Sequence, residues 1–388
     1  MKRFLMIIIS IILIISLGAC NNATSLSNSG KKKFREGNYE EAVKDFKQAI
    51  DKNPNRADYY IEYGLTLIAQ GKYEDAMEEF DAVYQKSSLS VVKSNNKRIH
   101  RGRGIAYYMM RDYEKALEEF QKALEINELS DLNVDIYYYM GSTYRYIGDY
   151  KKAVDSYSKL IKKDKKEARA YGSRAYCYQL LGESDKSLSD FDKAISLDEK
   201  NYDYYFGKYN LLIGIKKEEE ANKVLTKASK IQGKSEEDSF NLAKIHYYQG
   251  NTDMALDGLN ESITDGFDEA NYYIGEIYRT QENYNKAIEY YEKYINSGKV
   301  SSPEVYNQAA VCRMKEEDYG KALELLNQGI SFSDSTVMKV LKRNQIIAYE
   351  HMGNYDEANK LATKYLKDYP KDKEAVREAE FIQTRVEP

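Results

Sequence analysis

The sequence has no tryptophan, four prolines, three histidines and three cysteines in 388 residues. Scarce proline leaves the chain free to form helix, because a proline inside a helix removes a hydrogen bond and clashes with the preceding turn. Three cysteines do not make a disulfide framework. His100, His246 and His351 are scattered, and no HExxH, CxxC, GxSxG or glycine-rich phosphate loop occurs. Basic excess is missing too. The 58 Lys and Arg against 62 Asp and Glu leave a net charge of −4, which offers nucleic acid no overall attraction. The only long apolar run, Phe4 to Leu17, is about 14 residues, shorter than the roughly 18 a membrane span requires.

What is abundant is tyrosine, at 38 residues, within a chain that is 42% hydrophobic and 31% charged. Its mean hydropathy of −0.71 implies much solvated surface, while the hydrophobic share excludes general disorder. Tyrosine supplies a large buried face with a polar tip. One stretch, Gly37-Asn-Tyr-Glu-Glu-Ala, returns as Gly71-Lys-Tyr-Glu-Asp-Ala, Arg111-Asp-Tyr-Glu-Lys-Ala and Gly148-Asp-Tyr-Lys-Lys-Ala. Its small residue falls at Ala42, Ala76, Ala116, Ala153, Ser187, Ala221, Ala255, Ala287, Ala322 and Ala358, with gaps of 34, 40, 37, 34, 34, 34, 32, 35 and 36. In the fourth unit Tyr137, Gly141 and Tyr144 share one helix face by their spacing. Gly148 stops that helix, Asp149 can cap the next, and Tyr150, Ala153, Tyr157 and Leu160 form the inner stripe of the second.

A period near 34 with this pattern resembles the tetratricopeptide repeat (TPR), a helix–turn–helix unit whose stacked copies share a core. The resemblance covers residues 23 to 372. It implies an all-α superhelical solenoid of about ten repeats, an array over 30–372 and a capping helix and tail over 373–388. Some features depart from the pattern. The closing proline appears only as Pro54 and Pro370, Lys216-Lys217-Glu218 replaces the turn signature, and Thr252 stands where Tyr is usual. The first helix, Thr24 to Phe34, is polar enough to fray, and residues 91–96 between repeats two and three should extend a helix end or form a loop.

Before the array, Lys2 and Arg3 precede the apolar run, and Leu17-Gly-Ala-Cys20 follows. Charge, short core and small residues read as a signal peptide over 1–19. The four residues resemble the lipobox of bacterial lipoproteins, which implies cleavage before Cys20 and lipidation of its sulfur. Residues 20–29 then form a short linker or the start of the first repeat. Buried acyl chains contribute roughly 0.8 kcal/mol per CH₂. Cys177 and Cys312 fall at one repeat position and read as small packed thiols. Lys31-Lys-Lys-Phe-Arg35 reads as a solvated run close enough to the anchor to meet anionic lipid. Ser156-Tyr-Ser-Lys159 matches S-x-x-K, yet on a helix with no companion motif it reads as a solvated face.

In TPR proteins, first-helix positions 2, 5, 9, 12 and 13 line a concave groove. Carried onto repeats three to five, they name Arg98, Arg101 and Tyr108, then Tyr138 and Arg145, then Arg169 and Tyr176 as protein- or peptide-binding candidates. Lys97, Arg98, Arg101 and Arg103 form a local basic excess, and arginine beside tyrosine suits carboxylates and extended peptides. The opposing reading pairs these arginines with acids of neighbouring repeats. The family's Lys and Asn carboxylate clamp is absent. We expect no catalytic, cofactor-binding or metal-binding residues, and no enzyme. The sequence points to a lipid-anchored scaffold or adaptor for protein or peptide partners in the cell envelope, with a receptor for secreted peptides as the alternative. Its Ile-, Lys-, Asn- and Tyr-rich composition is that of an AT-rich genome and is associated with a Gram-positive host; the expected site is the outer face of the cell membrane.

Overall fold

The computed structural model describes residues 22–231, 233–300 and 302–386. Cys20 and the signal-peptide residues lie outside them. Among the described residues all regular structure is helical, and no helix is long and apolar enough to cross a membrane. Two compact units emerge: the first holds residues up to Tyr144 plus Lys152–Lys165, the second Arg145–Lys151 plus Lys166 onward.

The first unit contains α1 (22–35), α2 (Tyr39–Lys52), α3 (Ala57–Ala69), α4 (Tyr73–Val83), α5 (Ser90–Met109) and α6 (Tyr113–Glu125). It also holds most of α7 (Asn133–Tyr146) and α8 (Tyr150–Lys163). The second opens with α9 (Ala168–Leu180), α10 (Ser184–Leu197), α11 (Tyr202–Gly214), α12 (Glu218–Ala228), α13 (Glu236–Tyr248) and α14 (Thr252–Thr264). It continues with α15 (Ala270–Thr280), α16 (Tyr284–Asn296), α17 (Glu304–Lys315) and α18 (Tyr319–Ser331). The last three helices are α19 (Ser335–His351), α20 (Tyr355–Asp368) and α21 (Lys373–Gln383). Odd and even helices pair as hairpins, giving ten repeats and a closing helix. Ala375 and Ile382 of α21 are buried against the last repeat, covering its apolar end.

The small residues of the second helices are where the pairs close. Ala42, Ala76, Ala116, Ala153, Ser187 and their counterparts onward to Ala358 are all fully buried. A second close approach lies on the first helices. A Cβ at Gly64, Gly104, Gly141 or Gly275 would stand 2.5 or 2.6 Å from the ring of Phe80, Phe120, Tyr157 or Tyr291, sixteen residues later. Glycine is required there because a ring of the partner helix occupies the Cβ position.

The turns carry a common conformation. Gly37, Gly71, Gly148, Gly182, Gly250 and Gly353 have positive φ, and in the other four repeats Arg111, Lys216, Glu282 and Glu317 adopt it at the same place. The next amide reaches back five residues, as in Lys72 N–H to Leu67 C=O and Lys217 N–H to Leu212 C=O, both donated. This 6→1 bond ends the helix and starts the next without an unsatisfied carbonyl. Lys216 therefore keeps the turn although its sequence signature is lost.

Of the two readings of residues 20–29, the start of the first repeat describes them from residue 22: residues 22–35 form its first helix, held by Ala23, Ser27 and Gly30, with the Gly30 Cβ position 2.9 Å from the Phe46 ring. One expectation changes. Ser156 is buried, its hydroxyl donating to Lys152 C=O at 2.9 Å, so S-x-x-K is not a solvated face at that residue. The 91–96 insertion lengthens α5 to 20 residues. Cys177 and Cys312 are free and buried, and burial pushes each thiol up to about 12.

Gly104→Ala should lower stability by about 1–3 kcal/mol, since Phe120 is fully buried and has nowhere to go. Lys216→Gly should raise it by up to about 1 kcal/mol by removing left-handed strain. Chemical denaturation measures both, and shifts of the same sign would contradict this account of the packing and the turns.

Candidate functional site

The basic quartet of α5 is engaged within the first unit. Lys97 is fully buried and its ammonium donates to Ile126 C=O at 2.8 Å. Arg98 spans two carboxylates of α3, donating from Nη1 to Asp58 Oδ1 at 2.6 Å and from Nη2 to Glu62 Oε1 at 2.8 Å. Lys31 of α1 joins both acids at 3.3 and 3.2 Å. Arg101 pairs with Asp135 of α7, and Arg103 with Asp81 of α4. Burial pushes the Asp58 carboxyl up, but Arg98 and Lys31 more than offset this and hold it below its ordinary range.

The tyrosines of that expected surface form a ring cluster. Tyr108 meets Tyr139 edge-on at 5.5 Å, and Tyr138 lies 5.9 Å from Tyr139 and 6.0 Å from Tyr157. Arg145, Arg169 and Tyr176 belong to the second unit. The Arg145 guanidinium lies 4.5 Å over the Tyr146 ring, and Arg169 makes a two-pronged contact with Glu167 at 2.9 and 3.2 Å. Tyr176 donates to Asp203 C=O at 3.2 Å and packs edge-on against Phe191. The residue is 37% exposed, and burial by its surroundings pushes the phenol's pKa up. Arginine–acid pairing between neighbouring repeats thus accounts for Arg98 and Arg101.

The second unit holds a further surface of tyrosines and carboxylates. First helices α11, α13, α15 and α17 surround a cavity of about 400 Å³. Tyr247 and Tyr248 lie 5.0 Å apart, Tyr247 meets Tyr273 at 5.4 Å, and Tyr272 meets Tyr273 at 5.3 Å. Asn210, Ser302, Glu269, Glu276 and Glu304 add polar groups to its lining. Glu276 accepts from Arg279 at 3.1 and 2.7 Å and from the Tyr291 hydroxyl. Glu269 accepts from Tyr273 at 3.3 Å and lies 3.8 Å from Lys244. Glu304 is open to solvent yet flanked by the concave wall. Burial raises its carboxyl pKa first and the charge of Glu276 adds to this, while a hydrogen bond from Tyr272 works against both. Burial also pushes Tyr247 and Tyr272 up, and Tyr248 up to about 12.

These residues were within reach of the sequence. The groove positions used for repeats three to five include Lys244, Tyr247 and Tyr248 in repeat seven, Glu269, Tyr272, Glu276 and Arg279 in repeat eight, and Glu304 in repeat nine. Among the described residues no group of His, Cys, Asp and Glu could hold a metal ion.

Helical hairpins in tandem, with large side chains on the first-helix faces, define a solenoid interaction module. Residues 29–91, 97–166, 168–201, 268–297 and 344–372 each match a tetratricopeptide repeat model, and the chain belongs to the tetratricopeptide repeat proteins. It is 25% identical over 200 residues to the Hsp70-Hsp90 organizing protein of Triticum aestivum, covering 44% of this chain and 34% of that one. A TPR repeat-containing protein of Methanocaldococcus jannaschii is 22% identical over 387 residues, covering 92% of this chain and 61% of its own length. The chain thus spans about a third of the length of the wheat relative. Yeast Tom70, at 15% identity and a TM-score of 0.52, covers 94% of this chain and 96% of its own, and shows the fold alone.

Arg98→Ala should cost about 1–3 kcal/mol, because it strips two charge-assisted hydrogen bonds from half-buried acids. Asp58, with its pKa depressed in the folded state, adds stability above its unfolded pKa of about 4 that is lost as pH falls through the lower folded value. Melting curves from pH 7 to pH 3 should show that acid-dependent loss in the wild type and a smaller one in Arg98→Ala. Equal pH dependence would contradict the pairing as a source of stability.

Proposed function

We propose that the chain is a lipid-anchored, extracytoplasmic scaffold that gathers protein or peptide partners at the cell envelope. The anchor reading rests on Leu17-Gly-Ala-Cys20 directly after a short apolar core. The scaffold reading rests on one observation: first-helix tyrosines of the second unit pack on the core by one side and, with three carboxylates, line a cavity by the other. Such positions present contact area and hydrogen-bonding groups to a partner at low entropic cost, since tyrosine has few rotatable bonds. The relative named for organizing Hsp70 and Hsp90 supports the reading as an analogy of class.

The cavity also favours the second reading, a receptor for a secreted peptide, because its size suits one or two side chains of an extended segment. Crosslinking followed by pull-down from detergent-solubilised envelopes separates the two. A scaffold yields the same folded proteins in repeated captures, and a receptor yields a short peptide carried through purification. Capture of neither contradicts both readings. For the anchor, Cys20→Ala should move the protein from the membrane fraction to the soluble one; retention as firm as in the wild type places the anchor elsewhere.

A further inference from the structure

The cavity of the second unit has a polarity opposite to the arginine-rich groove expected from the sequence. Its lining carries three carboxylates, Glu269, Glu276 and Glu304, and no lysine or arginine. Two cations stand beside it, each engaged with one of its carboxylates. Arg279 is spent on Glu276 in a two-pronged pair, and Lys244 stands 3.8 Å from Glu269. Glu304, in the first turn of α17, makes no ion pair among the described residues. Negative charge therefore remains on the open side, beside the rings of Tyr247, Tyr248 and Tyr272.

The same wall already displays how it treats a cation. The Lys244 ammonium lies over three rings, at 4.8 Å from the Phe206 centroid, 5.2 Å from Phe240 and 5.3 Å from Tyr273, with its side chain 10% exposed. Tyr273 and Glu269 serve both Lys244 and the cavity. Ring faces and carboxylates together are what an organic cation seeks when it leaves water: the quadrupole attracts the charge and the oxygens accept its hydrogens. A carboxylate ligand would meet Glu304 and Glu276 and be repelled.

We propose that this cavity receives a lysine or arginine side chain from an exposed basic segment of a partner protein, held between Glu304 and the faces of Tyr247 and Tyr272. The inference rests on the scaffold reading and adds the charge of the partner. Acceptors outnumber donors around the cavity, which favours a primary ammonium or guanidinium over a quaternary ammonium that donates nothing.

The test uses the full-length chain in detergent at physiological salt, titrated into fluorescein-labelled tetralysine, with labelled tetraglutamate as the counter-probe. Tetralysine should bind, tetraglutamate should not, and Glu304→Gln should weaken tetralysine about tenfold. Tyr272→Leu should weaken it about fivefold while Tyr272→Phe keeps the ring and the binding. Glu289→Gln removes the same charge from an exposed pair with Lys293 and should change nothing. Equal loss in Glu289→Gln and Glu304→Gln would reduce the effect to overall acidity and overturn the site. Absent tetralysine binding, comparable tetraglutamate binding, or displacement of tetralysine by an equal concentration of choline would overturn it as well. If envelope partners still crosslink while tetralysine fails to bind, the scaffold reading stands and only this inference falls. Site-dependent tetralysine binding with no captured partner gives the reverse.

Discussion

The packing of an aromatic ring into the place of a missing Cβ governs each hairpin in which it occurs. Phe80 against Gly64, Phe120 against Gly104, Tyr157 against Gly141 and Tyr291 against Gly275 repeat one contact at a fixed separation of sixteen residues. The ring can enter only because the first helix offers bare backbone, and the second helix can approach only because a small residue such as Ala116 or Ala153 faces it. Both conditions recur with the period of the repeat. The interior is close-packed, so neither side can adjust by even one methyl group at small cost.

The turn follows from the same constraint. A hairpin whose helices must meet closely needs a short link of defined geometry, and a left-handed residue with a 6→1 hydrogen bond provides it. Tertiary closure holds Arg111, Lys216, Glu282 and Glu317 in a conformation that glycine would adopt at less cost. With hairpin interiors fixed, first-helix side chains pointing away from the partner helix are released from packing. Recognition then comes from those positions. Around Arg98 and Arg101 they meet one another as ion pairs, and around Tyr247 and Tyr272 they border a cavity.

This division of labour explains why charge alone was a poor guide to the surface. Lys97, Arg98, Arg101 and Arg103 are conspicuous in sequence as four cations within seven residues. Their partners Asp58, Glu62, Asp81 and Asp135 lie one repeat before or after, too distant in sequence to be paired by inspection. Lys97 is matched by a backbone carbonyl, which no sequence pattern announces. Conversely Glu304 and Tyr272 are unremarkable residues until stacking brings α13, α15 and α17 around one space.

By itself the sequence determined the helical hairpin, the count of ten, the buried alanines and the sheltered thiols of Cys177 and Cys312, because each depends on spacing within a single repeat. The resemblance to the family supplied the groove positions, and those positions contain the tyrosines and glutamates of the second unit. Tertiary structure decided the rest: that the polar first helix is held along 22–35, that Ser156 is buried, and which charges are satisfied. The physical reason is range. Turn conformation and helix periodicity are local, whereas an ion pair or a cavity depends on side chains from neighbouring repeats roughly 34 residues apart, and only the stacking of one hairpin on the next sets their distances.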